Sequence, residues 1–346
     1  MGMTLIGLCI GSFLNVVIYR VPRGLSVNDP KRSYCPHCQI TLPIWQNIPV
    51  VTWLLQRGKC RNCQAGIPIR YLAVEMLTGL AFFLAWMTFP FGKAIFALVL
   101  LTVLLVVSFI DAEHQLIPIK WTGWGAALAV GGSLFWPGFA GNFDASILGW
   151  AVGFSVLWIV IQLGKKAFGT KKMSFEKPES WRLQEGYQED PQLHLIVGEE
   201  ALSWDDLFYR DSDRLELRGH GIKKDGKATQ AKMMTLRRES VTLDGHCYQI
   251  EDLQSLTGKA EEVVIPREAM GSGDPHLLSM IGAFLGWQAV LFTVFFSSLY
   301  AIAAAVLGRV GFGKPLPYGP FLAAAAVTWL FGGWRWWAWY VEQLGL

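Results

Sequence analysis

Residues 94–118 read AIFALVLLTVLLVVSFIDAEHQLIP, an apolar run that stops at Asp111, with Glu113 and His114 just beyond. Alone, the run 94–110 is a marginal membrane span, since about 18–20 apolar residues are needed to cross a bilayer. Its company decides the reading. Apolar stretches of similar kind recur at 145–163 and 289–308. Apolar residues make up 52% of the chain and charged residues 16%, against roughly 25% charged in ordinary soluble domains. Tryptophan is abundant, 16 in all, and gathers at the ends of such runs, as in WTGW (121–124) and WRWWAWY (334–340). That is where an amphipathic ring prefers to sit, at the water–lipid boundary.

Working outward, the pattern predicts an all-α polytopic membrane protein with about eight transmembrane helices, near 2–19, 71–90, 94–110, 119–137, 145–164, 275–287, 289–308 and 319–341. The first is read as a retained helix, because it lacks a basic start and a small-residue cleavage site. Residues 276–308 form one long apolar stretch, and a break at Gly286-Trp287-Gln288 divides it into two spans. The chain then parses as helix 1 (1–19), a soluble module (20–70), helices 2–5 (71–164), a soluble insertion (165–270) and helices 6–8 (271–346).

Charge sets the expected orientation. The first soluble stretch holds Arg20, Arg23, Lys31, Arg32, Arg57, Lys59, Arg61 and Arg70 against a lone Asp29. Basic loops stay in the cytoplasm. Counting spans from there places the Lys165–Lys172 cluster, Arg309 and Lys314 on the same side. Both soluble parts are therefore expected to be cytoplasmic. The insertion alternates apolar and polar residues in LHLIV, RLELRG and SVTLDGHCYQI, and has DG turns at 225–226 and 244–245. Such alternation predicts a mostly-β domain. Its His194, His220 and His246 are isolated and read as surface residues.

Two chemistries stand out. Cys35-Pro-His-Cys38 and Cys60-Arg-Asn-Cys63 are CxxC knuckles 21 residues apart. Four thiolates in two such pairs can close a tetrahedral, structural zinc site in a ribbon-like module; the other readings are disulfides or unligated thiols, which a reducing compartment disfavours. His37 lies inside a knuckle and reads as a spectator. Cys9 and Cys247 are expected to be packing residues.

The second chemistry is a pair of acids. Asp111 ends one apolar run and Asp274, in MGSGDPHLL, begins another; the span count puts both at the cytoplasmic membrane face. Acids at membrane depth are costly and mark functional sites. Two close carboxylates share a proton, so one can act as base and the other as acid in peptide hydrolysis. The plainer readings are that Asp274 before Pro275 caps a helix and that Asp111 is an interfacial residue.

In order along the chain, GSFLNVVIYRVPRG (11–24), the two CxxC pairs, IRYLAVEMLTG (69–79), FIDAEHQLIP (109–118), GSGD (271–274) and LPYGPFLA (316–323) resemble the type IV prepilin peptidases. The resemblance implies an intramembrane aspartic endopeptidase with Asp111 and Asp274 as its catalytic pair. Such an enzyme cuts the basic leader from type IV prepilins and the pseudopilins of type II secretion at the cytoplasmic face of the bacterial inner membrane. It further implies N-methylation of the new amino terminus from S-adenosylmethionine. On the same resemblance, Gly271, Gly273, His276, Glu75, Gly11 and Asn15 support the site or its substrate. The expected partners are a prepilin helix and the lipid bilayer, with no nucleic acid, and the insertion could hold a further partner.

No nucleotide-type glycine fingerprint accompanies the methyltransferase expectation. The chain departs from the family pattern in two places: Pro275-His276 stands where GxGDxK has its lysine, and the insertion replaces a short loop. The competing readings are a non-catalytic membrane scaffold with the soluble parts as binding modules, and a transporter, whose acids would lie near the bilayer middle.

Overall fold

The computed structural model describes residues 2–168, 171–187, 190–198, 200–208, 213–229, 231–253, 255–265, 271–308 and 316–345. The chain divides into two compact units, residues 1–158 with 271–346, and residues 159–270. Arg309 and Lys314, used above for orientation, lie outside the described residues.

Helices in chain order are α1 (Gly2–Arg20), α2 (Val51–Leu55), α3 (Arg70–Thr88), α4 (Phe91–His114), α5 (Ile119–Gly132), α6 (Phe143–Phe168), α7 (Trp204–Leu207), α8 (Asp274–Leu285), α9 (Trp287–Leu307), α10 (Gly319–Thr328) and α11 (Trp334–Gln343). Among the described residues, five are long and apolar enough to cross a membrane: α1, α3, α4, α6 and α9. The other three expected spans are shorter. At 1.5 Å per residue, α5 and α8 reach only about 20 Å, less than the roughly 30 Å of hydrocarbon. Between α10 and α11 a π-helical turn, Trp329–Gly333, contains Gly332 at φ 144°. The break in 276–308 falls at Gly286, which adopts φ 91° and ends α8 before α9 begins. Eight full spans are thus five long helices and shorter pieces packed among them.

Small residues explain the tightest helix crossings. Along α1, Gly7 and Gly11 meet α3 so closely that a Cβ on Gly11 would lie 2.8 Å from the Glu75 Cα. Along α6, Gly149 and Gly153 meet α8; a Cβ on Gly153 would lie 2.5 Å from the Leu278 carbonyl oxygen. Small residues four apart let helix backbones touch where lipid offers no hydrophobic drive. α8 is the most enclosed helix, with every residue from Leu277 to Leu285 buried.

The second unit is built on a nine-stranded antiparallel sheet, in the order β3-β2-β1-β9-β4-β6-β7-β8, with β5 beside β4. Its strands are β1 (Lys171–Tyr187), β2 (Asp190–Val197), β3 (Glu200–Ser203), β4 (Leu215–Lys224), β5 (Lys227–Ala228), β6 (Met233–Leu236), β7 (Ser240–Leu243), β8 (His246–Gln249) and β9 (Leu256–Ile265). The alternation read in the sequence faces one way: Leu215, Leu217, Met234, Leu236, Val241 and Leu243 join Trp181 and Leu195 in a core. Asp225-Gly226 and Asp244-Gly245 turn the hairpins with both residues at positive φ, the geometry that tight two-residue hairpins prefer. His194 is buried in β2, not on the surface as expected; it shares with Ile196 the face opposite Leu195 and Val197, and that face is covered as well. Cys9 and Cys247, expected to pack inside, are both exposed; one faces outward from α1 and the other sits on the edge strand β8.

Candidate functional site

The cysteine module comes first along the chain. Each knuckle closes with its own tight turn: the Gln39 amide donates to the Cys35 carbonyl at 2.8 Å, and the Gln64 amide to that of Cys60 at 2.9 Å. The residues that end these turns, Gln39 and Gln64, both take positive φ. The four sulfurs all lie within 4.8 Å of one another, and Cys35 Sγ is 3.8 Å from Cys63 Sγ. Zinc–thiolate bonds of about 2.3 Å in a tetrahedron require sulfurs about 3.8 Å apart, so the donor set fits one metal ion. The turn amides also favour thiolate. The backbone N–H of Ile40 and the Asn62 side chain bring Cys38 down to about 6, and the backbone N–H groups of Cys63 and Asn62 lower Cys60. Cys63 accepts an N–H from Ala65, which lowers it, yet burial and the neighbouring sulfurs hold it at about 11. His37 is exposed and is not among the four donors.

The module is fastened to the helices by Glu75. This residue lies on α3 and is buried; its Oε2 accepts the Val50 amide at 2.7 Å. Val50 has φ 62° and ψ −53°, a conformation that costs a β-branched residue dearly. A buried carboxylate holding the amide keeps the chain in that conformation. On α1, Asn15 is buried and donates through Nδ2 to the Tyr71 carbonyl at 3.0 Å. Gly11, Asn15 and Glu75 therefore meet on one seam between α1 and α3, beneath the module.

The acids are placed by helix ends. Asp111 lies in the last turn of α4, and Asp274 is the first residue of α8. Both are buried, at 5% exposure each. Asp111 is oriented by an unexpected partner: its Oδ2 accepts the Gly319 amide at 2.8 Å, at the start of α10. Asp274 is not the cap its sequence suggested. Gly273 occupies that position and Asp274 falls in the first turn, with Pro275 after it, where the positive end of the helix dipole favours an anion.

The two helix ends are neighbours. A Cβ on Gly273 would lie 2.6 Å from the Ile117 Cβ, just past α4. The close approach that Gly273 permits is thus to the chain's own Ile117. The Gly271 carbonyl accepts the Asp274 amide at 3.3 Å and tightens the turn. His276, in the family lysine position, sets its ring edge-to-face with Phe154 of α6 at 5.3 Å. Beyond Asp111, Glu113 pairs with Arg70 of α3, linking the end of α4 to the base of the module.

Three of these features escaped the sequence reading: Gly319 as a donor to Asp111, the Gly149/Gly153 seam behind α8, and the Val50 latch. The spacing GWAVG at 149–153 carried a signal for the second. The other two depend on contacts between distant segments, which no local pattern records.

Comparison with known proteins supplies the family. Residues 5–89 match the model of the bacterial peptidase A24 N-terminal domain, and residues 253–306, which include Asp274, match that of the type IV leader peptidase family. A prepilin leader peptidase/N-methyltransferase of Myxococcus xanthus is 41% identical over 164 residues, 47% of this chain and 48% of that protein. The type 4 prepilin-like proteins leader peptide-processing enzyme of Escherichia coli is 41% identical over 192 residues, covering 47% of this chain and 69% of the relative. A prepilin leader peptidase/N-methyltransferase of Aeromonas hydrophila is 29% identical over 369 residues, with 98% of this chain and 92% of the relative aligned. No solved structure matches. With the cysteine module, the acid-bearing helix ends and these relatives in agreement, the chain belongs to the type IV prepilin peptidase family.

Proposed function

We propose that the chain is an intramembrane aspartic endopeptidase that removes the leader of type IV prepilin-like or pseudopilin substrates at the cytoplasmic face of the bacterial inner membrane. Asp111 and Asp274 are its catalytic residues. The observation that carries this reading is the burial of two carboxyl groups on adjoining helix ends, an arrangement too costly at membrane depth to be kept idle. One carboxylate takes a proton from water as the water oxygen attacks the scissile carbonyl. The other, protonated, donates to the carbonyl oxygen; as the tetrahedral intermediate collapses, the first gives the leaving amine the proton it took from water, and the second regains its own from the hydroxyl. The pair titrates as a unit. Gly319 fixes the plane of the Asp111 carboxylate through its amide, so this side chain is oriented before substrate arrives.

The same chain is also read as methylating the new amino terminus, as the names of its relatives indicate for them. S-adenosylmethionine, when bound, supplies a methyl group to an amine lone pair and leaves as a neutral thioether. The zinc module is structural in this reading: its four sulfurs fill a tetrahedron and leave no open position.

The test replaces Asp111 or Asp274 with alanine and follows leader cleavage of a prepilin in membranes. Each variant is expected to lose cleavage; full activity in either one ends the aspartic reading.

A further inference from the structure

Within the cysteine module, WQNIPVVTWLL (45–55) is folded with its apolar side outward. A 3₁₀ turn, Ile44–Asn47, leads into α2. Thr52 and Trp53 are tied inward: the Thr52 hydroxyl donates to the Trp45 carbonyl at 3.3 Å, and Trp53 Nε1 donates to the Ile67 carbonyl, also at 3.3 Å. The three aliphatic residues of α2 do the opposite. Val51, Leu54 and Leu55 are exposed, Leu55 by 79%, and so are Trp45 and Ile48 just before them. Residues three and four apart on a helix share a face, so Val51, Leu54 and Leu55 form one patch. An apolar patch left outward in this way marks a surface that meets something other than water.

Depth tells what covers it. α3 is an apolar span of 19 residues, about 28 Å long against roughly 30 Å of hydrocarbon, so its whole length is needed to cross. Glu75 sits five residues in from Arg70, about 7 Å below the start of that span. Gly11, whose Cβ would touch the Glu75 Cα, lies nine residues inside the end of α1 at Arg20, about 13 Å along that helix. Both rulers put Glu75 below the charged ends of the spans. Its side chain leans back toward the start of α3 and holds the Val50 amide at 2.7 Å. α2 therefore begins between the levels of Arg70 and Glu75. Around this depth α3 itself leaves Ile69, Met76 and Leu77 exposed, the apolar surface that a span presents to lipid. Charge agrees. Residues 30–74 contain no acid, and Arg57, Lys59 and Arg61, all exposed, follow the patch directly.

We propose that residues 45–55 are embedded in the lipid leaflet on the module's own side. Trp45, Ile48, Val51, Leu54 and Leu55 lie at the boundary of headgroups and acyl chains, and Arg57, Lys59 and Arg61 lie against anionic phosphates. Amphipathic segments settle about 5–10 Å into that boundary, the depth that the Glu75 latch sets here. Clustered cations add attraction to anionic lipid. The module is then a half-sunk body, held by lipid as well as by Glu75. This inference does not depend on the reaction proposed for Asp111 and Asp274.

The experiment attaches a nitroxide to single added cysteines in the full chain carrying Cys9→Ser and Cys247→Ser. The four knuckle cysteines are loaded with zinc, and the protein sits in nanodiscs of phosphatidylcholine and phosphatidylglycerol. Power saturation measures collision with oxygen, which concentrates in lipid, and with a neutral nickel chelate, which stays in water. Labels at Leu54→Cys and Leu55→Cys should match a label at Met76→Cys on α3. Their oxygen-to-nickel ratio should be at least fivefold above that at Lys31→Cys, an exposed residue beside the Arg20 end of α1. All four positions are exposed, so labelling disturbs no packed core, and zinc content reports that the module is folded. A ratio at Leu55 equal to that at Lys31 puts the patch in water and overturns the proposal. Shielding from both agents also overturns it, because protein then covers the patch; dipolar broadening between labels would identify that protein as a second copy of the chain.

Discussion

Gly319 and Asp111, 208 positions apart in the chain, are joined by a 2.8 Å hydrogen bond from the Gly319 amide to Oδ2 of Asp111. A Cβ at Gly319 would also lie 2.8 Å from that oxygen, so glycine is needed on steric grounds. Gly319→Ala is expected to push the carboxylate aside and lower leader cleavage about 100-fold, the scale of a 1 Å misplacement. Cleavage rates in nanodiscs, with thermal stability as a control for folding, check it. A native rate would separate Gly319 from the catalytic geometry.

The Glu75 latch gives a second prediction. Glu75→Ala orphans the Val50 amide and removes a charge-assisted hydrogen bond worth about 1.5–3 kcal/mol. Glu75→Gln keeps an acceptor for it. The alanine variant should expose residues 20–70 to limited proteolysis, and the glutamine variant should resist. Equal digestion of the two would show that the bond to Val50 does not hold the module down.

Metal removal gives a third. The module is short, and its described core is small, so bound metal supplies most of its folding free energy, on the order of 10 kcal/mol for a four-cysteine site. Chelation, or Cys60→Ser, should unfold residues 20–70 while the helices persist, as read by hydrogen exchange of the two regions. The ligands must be deprotonated to bind, so metal binding releases protons and affinity should fall as pH falls. Retention of exchange protection after complete zinc removal would mean that the module folds by packing alone.

The seam behind α8 gives a fourth. A Cβ at Gly153 would meet the Leu278 carbonyl oxygen at 2.5 Å, and one at Gly149 would meet that of Gly282 at 2.1 Å. Backbone cannot yield as a side chain does. Gly153→Val should force α6 and α8 apart, displacing the helix that begins at Asp274, and abolish cleavage. Gly123, with nothing near its Cβ position, is the matched control and should tolerate alanine.

Much of this architecture was legible in the sequence because its signals are local. CxxC pairs announce their own geometry, DG pairs their own turns, and an apolar run its own helix. Five of the eight expected spans correspond to helices long enough to cross a membrane among the described residues, and the short α8 shows why hydropathy alone does not fix the count. Hydropathy registers that residues 274–285 avoid water, but cannot tell lipid from protein as the refuge; α8 is buried on all sides by neighbouring helices. Asp111 and Asp274 were singled out by their placement at run ends. Their supports, Gly319 and Ile117, come from segments that meet only in three dimensions.

The insertion interrupts the chain between the two acids, yet it begins and ends at one place. β1 opens it and β9 closes it, and these strands pair antiparallel with Lys171 opposite Ile265. Residues paired this way sit about 5 Å apart. The two ends of 171–265 thus lie side by side, and a short peptide could span the distance between them. Replacing 171–265 with a brief glycine-serine linker should leave leader cleavage intact, and loss of cleavage would show that the sheet serves the acids directly. A domain whose first and last strands pair with each other can be acquired, exchanged or discarded over generations with little cost to the chain that carries it.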